Sequence, residues 1–248
     1  MTPLRIAFDM DGTLADLSSA YAGLEERIFG AETAEHEQPA PEAREEEQHF
    51  EEDQPDGPPA APAEPEVARK PERRSIRSAS RHRDRIWRVI EATPDFWLTL
   101  RPIDADALKR LNHLTREHRW EVFFITQRPA TAGGTVQWQT HKWLLEHGIS
   151  MPNVIPLSGG RGRAASALQL DYLVDDTPQN CVDVLSDSST RAILLIDPDD
   201  PIAEASARRL GIGTARSIDE ALDLLVQAAA ARTNPSLFEK LRKLVGWK

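Results

Sequence analysis

Asp9-Met10-Asp11-Gly12-Thr13-Leu14-Ala15-Asp16 follows directly on the apolar run Leu4-Arg5-Ile6-Ala7-Phe8, and the rest of the chain is arranged about that junction. The apolar run reads as a buried β-strand. Asp9 and Asp11, at its end, would repel each other at the mouth of a sheet unless a cation lay between them. Gly12 lets the backbone turn sharply where a side chain would clash. Carboxylates so placed suit phosphoryl transfer through a covalent aspartyl-phosphate. Asp9 would attack phosphorus, Mg²⁺ would neutralise the nucleophile and phosphate, and Asp11 would hand a proton to the leaving oxygen. The plain alternative is an acidic turn that caps the next helix.

The chain has 248 residues, enough for one good-sized domain or two small ones, and a formal charge of −10. That charge argues against nonspecific nucleic-acid binding, but it is concentrated. Residues 31–66 hold thirteen acidic residues against Arg44 alone, with seven prolines and Phe50 as the only large apolar side chain. The remainder therefore carries about +2 (−10 minus −12), close to neutral. The acidic stretch cannot bury enough apolar surface to offset ordering its backbone, and is expected to be disordered over about 31–68. The basic run that follows, from Arg69 to Arg88, reads as a solvated helix face. The one cysteine, Cys181, rules out an intrachain disulfide and points to a reducing compartment. With no membrane-length apolar run and no signal-peptide pattern, a cytoplasmic location is expected.

Leu17 to Phe29 has helical spacing, and Arg81 to Ala92 forms a second helix that Pro94 closes. Beyond Pro94 the pattern becomes regular. Helices are expected over Asp104–His118, Thr135–His147, Arg161–Leu168, Ile202–Leu210 and Ile218–Ala231, the last capped by Ser217, with another beginning over Thr177–Leu185. Between them, Glu121–Ile125, Asn153–Leu157, Asp171–Val174 and Arg191–Ile196 read as strands. Such alternation indicates an α/β fold with a parallel sheet, which binds ligands at the carboxyl ends of its strands. Pro235 to Lys248 forms an amphipathic helix, suited to a membrane surface or to docking on its own domain.

The octet at the end of an N-terminal strand resembles the first motif of the haloacid-dehalogenase (HAD) superfamily, an apolar strand followed by D-x-D-G-T. The resemblance implies a doubly wound, three-layer core, and the second acid, Asp11, favours the phosphatases over the dehalogenases. It also implies roles for residues further along. Thr126, after Val122-Phe123-Phe124-Ile125, would donate a hydrogen bond to the phosphate, with the backbone N–H groups of Gln127 and Arg128 cradling its oxygens. Ser158-Gly159-Gly160-Arg161-Gly162-Arg163-Ala164-Ala165 resembles the K-G-x-A-A pattern, with Arg161 in the lysine's place. Arg keeps the charge but is longer, forked and prefers bidentate contact. Arg163 is the alternative bearer, but lies about 200° further around a helix. Asp175 and Asp176, adjacent acids at another strand end, would complete a Mg²⁺ site: Asp176 directly, Asp175 through water or by positioning. By the same resemblance, Asp9 and the backbone carbonyl of Asp11 would supply the other protein oxygens.

Within the superfamily, D-M-D-G-T-L-A-D, Phe96-Trp97 before a helix and the Asp175-Asp176 pair are similar to the 5′(3′)-deoxyribonucleotidases. This similarity implies a core from 1–16 and 94–232, with a small helical cap inserted after the first strand over 17–93, and the C-terminal helix over 233–248. Phe96 and Trp97 would either stack on a nucleobase or pack the cap on the core. The expected activity is Mg²⁺-dependent hydrolysis of a small phosphorylated substrate, a nucleoside or deoxynucleoside 5′-monophosphate. A sugar phosphate is the alternative substrate, and a non-catalytic scaffold the alternative class.

Overall fold

The structure, a computed structural model, describes residues 3–30 and 73–232, with the backbone alone over 73–80. The acidic stretch expected to be disordered and the expected C-terminal helix lie outside the described residues.

Six parallel strands form one sheet in the order β3-β2-β1-β4-β5-β6. They are β1 (Arg5–Asp9), β2 (Glu121–Thr126), β3 (Asn153–Pro156), β4 (Tyr172–Asp175), β5 (Arg191–Leu195) and β6 (Gly213–Ala215). The fold is the expected doubly wound α/β one. β1 sits centrally, and the chain winds outward first to β2 and β3, then back past β1 to β4, β5 and β6. This reversal opens a crevice at the carboxyl end of β1, where ligands of such sheets bind. Register fills the crevice: Asp9 pairs with Ile125, so Thr126 lies one residue beyond it, and Phe8 pairs with Val174, which sets Asp175 level with Asp9.

Ile6, Ala7 and Phe8 are fully buried, as a central strand covered on both faces requires. Ala7 and Leu173 pack with Ala165 and Val184 from helices Arg161–Ala167 and Pro178–Asp187. Trp143, in helix Val136–Glu146, is fully buried and donates its indole N–H to the Leu100 carbonyl at 2.7 Å. Side chains cap the helix starts: Asp104 accepts from Asp106 and Ala107, Thr135 from Trp138, and Ser217 from Glu220.

Among the described residues, a short edge strand and the start of one helix differ from expectation. β6 was not foreseen, because three residues are too short for any periodicity to show. The helix expected over Arg81–Ala92 runs over Arg73–Ala92, extending back into the basic run; Arg81, Arg83, Arg85 and Arg88 are exposed while Ile86 and Ile90 are buried. The chain divides into two compact units, Met1–Ala22 with Arg88–Lys248, and Gly23–Trp87. In the smaller one the Phe29 ring stacks on His82 at 4.1 Å, with the Arg85 guanidinium over its face. Among the described residues no helix is long and apolar enough to cross a membrane.

Candidate active site

The first loop is drawn tight by its own backbone. The Met10 carbonyl accepts from the N–H groups of Leu14 and Ala15 at 2.9 and 2.7 Å, and Gly12 donates to the Ala15 carbonyl at 2.9 Å. Gly12 sits at φ +83°, and a Cβ there would run into the Asp176 carboxylate. Only glycine gives both the turn and the close approach. Thr13 donates through Oγ1 to Asp176 Oδ1 at 3.3 Å, linking the first loop to the end of β4.

Asp9 is buried at the end of β1, and the guanidinium of Arg161 meets it through Nη2. The same guanidinium places Nε 2.8 Å from Asp175 Oδ2. Its Nη1 is buried without a hydrogen-bond partner among the described residues. Arg161 opens the helix Arg161–Ala167 and is 4 % exposed, whereas Arg163 is exposed. The glycines around it allow this placement. Gly162 donates to Asp183 Oδ2 at 2.8 Å, and a Cβ on Gly162 would strike the backbone of helix Pro178–Asp187.

The adjacent acids differ in environment. Asp175 is fully buried and already held, accepting from Thr177 N–H at 2.8 Å and from the Asn180 amide at 3.1 Å on both oxygens. Asp176 is partly exposed and has the Thr13 hydroxyl as a hydrogen-bond donor. Asp9, Asp175 and Asp176 each bring an oxygen within 4.8 Å of the others. Burial, then the charge of Asp175, pushes the Asp9 carboxyl well above the usual carboxylate range. Burial raises Asp175 against the opposing pull of Arg161, and burial followed by the charge of Asp175 raises Asp176. Carboxylates that burial makes costly to ionise, gathered this closely, fit a bound cation. Asp9, Asp175 and Asp176 gather about the guanidinium of Arg161 (three minus one), a deficit that a divalent ion would balance. All the donors are oxygens, as Mg²⁺ prefers.

The Asp11 carboxylate points elsewhere, into a clamp made by Arg128. Nη2 of Arg128 donates to Oδ1 at 2.6 Å, and Nε lies 3.0 and 2.9 Å from Oδ1 and Oδ2. Gln127 and Arg128, expected to offer backbone N–H groups to phosphate, also bring their side chains to the site. Arg128 N–H donates to Thr126 Oγ1 at 3.3 Å, and the Gln127 amide donates to the Gly159 carbonyl at 2.8 Å. Thr126 itself is buried at the end of β2, level with the site. Phe96 and Trp97 are buried, Trp97 completely. Trp97 donates its indole N–H to the Pro129 carbonyl at 3.1 Å and lies under the Arg128 guanidinium, 4.8 Å from its ring centre. Sequence reasoning missed the Arg128 side chain, Thr140 and Asn180. For Asn180 the signal was available: Thr177-Pro178 starts a helix, which keeps its first turn beside Asp175.

Among the solved structures similar to this chain is a HAD family hydrolase from Deinococcus radiodurans R1 with bound phosphate and sodium. Its TM-score is 0.46 at 13% identity, covering 94% of this chain and 97% of that one. A haloacid dehalogenase-like hydrolase from Streptococcus pneumoniae gives a TM-score of 0.47 at 14% identity, covering 90% of this chain and 98% of that one. No curated protein sequence matches. Residues 63–230 match the family described as 5′ nucleotidase, deoxy (pyrimidine), cytosolic type C protein. That match spans more than half of the chain and takes in Thr126, Arg161, Asp175 and Asp176, so this phosphatase belongs to the cytosolic type C 5′-nucleotidase family.

Proposed function

We propose that the chain is a cytoplasmic, Mg²⁺-dependent phosphomonoester hydrolase that works through an aspartyl-phosphate on Asp9, with a nucleoside or deoxynucleoside 5′-monophosphate as substrate. The observation that carries this reading is the cluster of Asp9, Asp175 and Asp176 beside the buried Arg161, whose Nη1 has no hydrogen-bond partner among the described residues. A buried donor left unmade costs roughly 1–3 kcal/mol, and a phosphate oxygen would satisfy it.

Bound among Asp9, Asp176 and the Asp11 carbonyl, Mg²⁺ would supply positive charge against the carboxylates and the phosphate oxygens. The chain's own residues perform the remaining work. Thr126 offers its hydroxyl proton, and Arg161 its free N–H, to hold the phosphate in line with Asp9. An Asp9 oxygen attacks phosphorus, the ester P–O bond breaks, and Asp11 gives its proton to the departing oxygen. Asp11 then takes a proton from water, the water oxygen bonds to phosphorus, and the Asp9–phosphorus bond breaks to release phosphate.

The test is a panel of nucleoside monophosphates, sugar phosphates and p-nitrophenyl phosphate, run with Mg²⁺ and with chelator. Metal-dependent release of phosphate, fastest from nucleotides, is expected. No turnover of any member with Mg²⁺ would overturn the hydrolase reading. A sugar phosphate is the second reading, favoured by one observation: buried Phe96 and Trp97 are not free to stack on a base.

A further inference from the structure

Arg128 and Asp11 are 117 residues apart, and their contact belongs to a fully built polar network. The Arg128 side chain has no exposure, while that of Asp11 keeps 19%. Beyond its clamp on Asp11, the guanidinium bonds through Nη1 to Thr140 Oγ1 at 3.0 Å and lies against the Trp97 ring. Trp97 is anchored in turn: its backbone N–H donates to Gln139 Oε1 at 3.1 Å, and Gln139 gives its amide to Thr131 Oγ1 and the Gly134 carbonyl. A planar fork locked on three sides has one orientation in which to hold a carboxylate. The hold is uneven, with Oδ1 accepting from both Nη2 and Nε, and Oδ2 from Nε alone.

We propose that Arg128 is a positioning residue for Asp11, fixing the carboxyl plane so that Oδ2 is the oxygen that gives and takes the proton. The assignment rests on the function proposed above. In this role Arg128 acts through Asp11 and exchanges no proton itself. The proton leaves Asp11 Oδ2 for the ester oxygen as the P–O bond breaks, and one returns from water in the second displacement. Lysine would keep the charge but lose the fork, leaving the carboxyl free to turn.

The experiment compares kcat/KM for p-nitrophenyl phosphate, whose leaving group needs little protonation, with that for a nucleoside 5′-monophosphate, whose alkoxide needs a proton. In Arg128→Lys the nucleotide reaction should fall about 10²-fold, the low end of what a positioned acid contributes, and the aryl reaction by no more than about a tenth as much. In an Asp11→Asn background the same substitution should add less than about threefold, since the group it positions is gone. Thr140→Val, which keeps the arginine and frees one corner of it, should show the same bias more weakly. It also serves if Arg128→Lys does not fold, as judged by circular dichroism. Equal losses on both substrates, or full additivity with Asp11→Asn, would overturn the positioning role while leaving the hydrolase reading intact. A wild-type protein that turns over neither substrate overturns the hydrolase reading and this assignment with it.

Discussion

Arg161 and Asp9 form a buried ion pair although 152 residues separate them in sequence. The pair is made possible by the register of β1 and β4 and by the glycines that let helix Arg161–Ala167 approach its neighbour. Truncating one partner of a buried pair leaves the other charge uncompensated, which is costly.

Arg161→Ala should therefore lower kcat/KM by about 10²–10³, the cost of a preorganised electrostatic contact. The exposed Arg163→Ala should stay within about twofold of wild type. Arg161→Lys should fall between them, because an ammonium has no fork with which to meet Asp9 and Asp175 together. Steady-state kinetics on the three variants side by side decides the matter; a larger loss in Arg163→Ala would misplace the cation.

Asp9→Asn should abolish turnover with the fold retained, since an amide cannot form the acyl phosphate. Asp11→Asn should slow an alkyl phosphomonoester by roughly 10²–10⁴. Acid-quenched protein from the Asp11 variant, incubated with labelled substrate, should carry phosphate on Asp9 when digested and sequenced by mass spectrometry. Label on any other residue would contradict the covalent step.

Gly12→Ala should destabilise the protein by at least about 1–2 kcal/mol, the cost of a left-handed backbone with a side chain, and displace Asp176. Gly23→Ala is the matched control, since nothing lies within 4 Å of a Cβ there. Within a helix that change should be neutral or stabilising by up to about 1 kcal/mol. Urea unfolding of both variants measures the difference.

Mg²⁺ added to metal-free protein should raise Tm. At a hundredfold excess over Kd the stabilisation is about 2.7 kcal/mol, or about 5–10 °C for a chain of this size. Asp176→Asn should remove most of the shift, because Asp176 is the partly exposed acid of the three, with the Thr13 hydroxyl as its hydrogen-bond donor. An unchanged shift in that variant would place the ion elsewhere.

Cys181 is fully buried, and burial pushes its thiol far above the ordinary range. It should resist alkylation by iodoacetamide in the native protein and react once urea unfolds the chain. Rapid labelling under native conditions would show that helix Pro178–Asp187 opens locally.

The sequence by itself determined the fold class and placed acids at the strand ends that form the candidate site. Alternating apolar strands and periodic helices leave few architectures other than a parallel α/β sheet, and acids at the ends of β1 and β4 mark its crevice. These are local signals, carried by period, turn residues and spacing. What tertiary structure alone decided is which side chains meet there. Arg128 turns from the end of β2 to clamp Asp11, Trp97 is buried beneath it, and Asn180 completes the hold on Asp175. None of these pairings has a short-range signature. A guanidinium finds its carboxylate through the register of neighbouring strands and the packing of helices, and both arise only when the whole sheet closes.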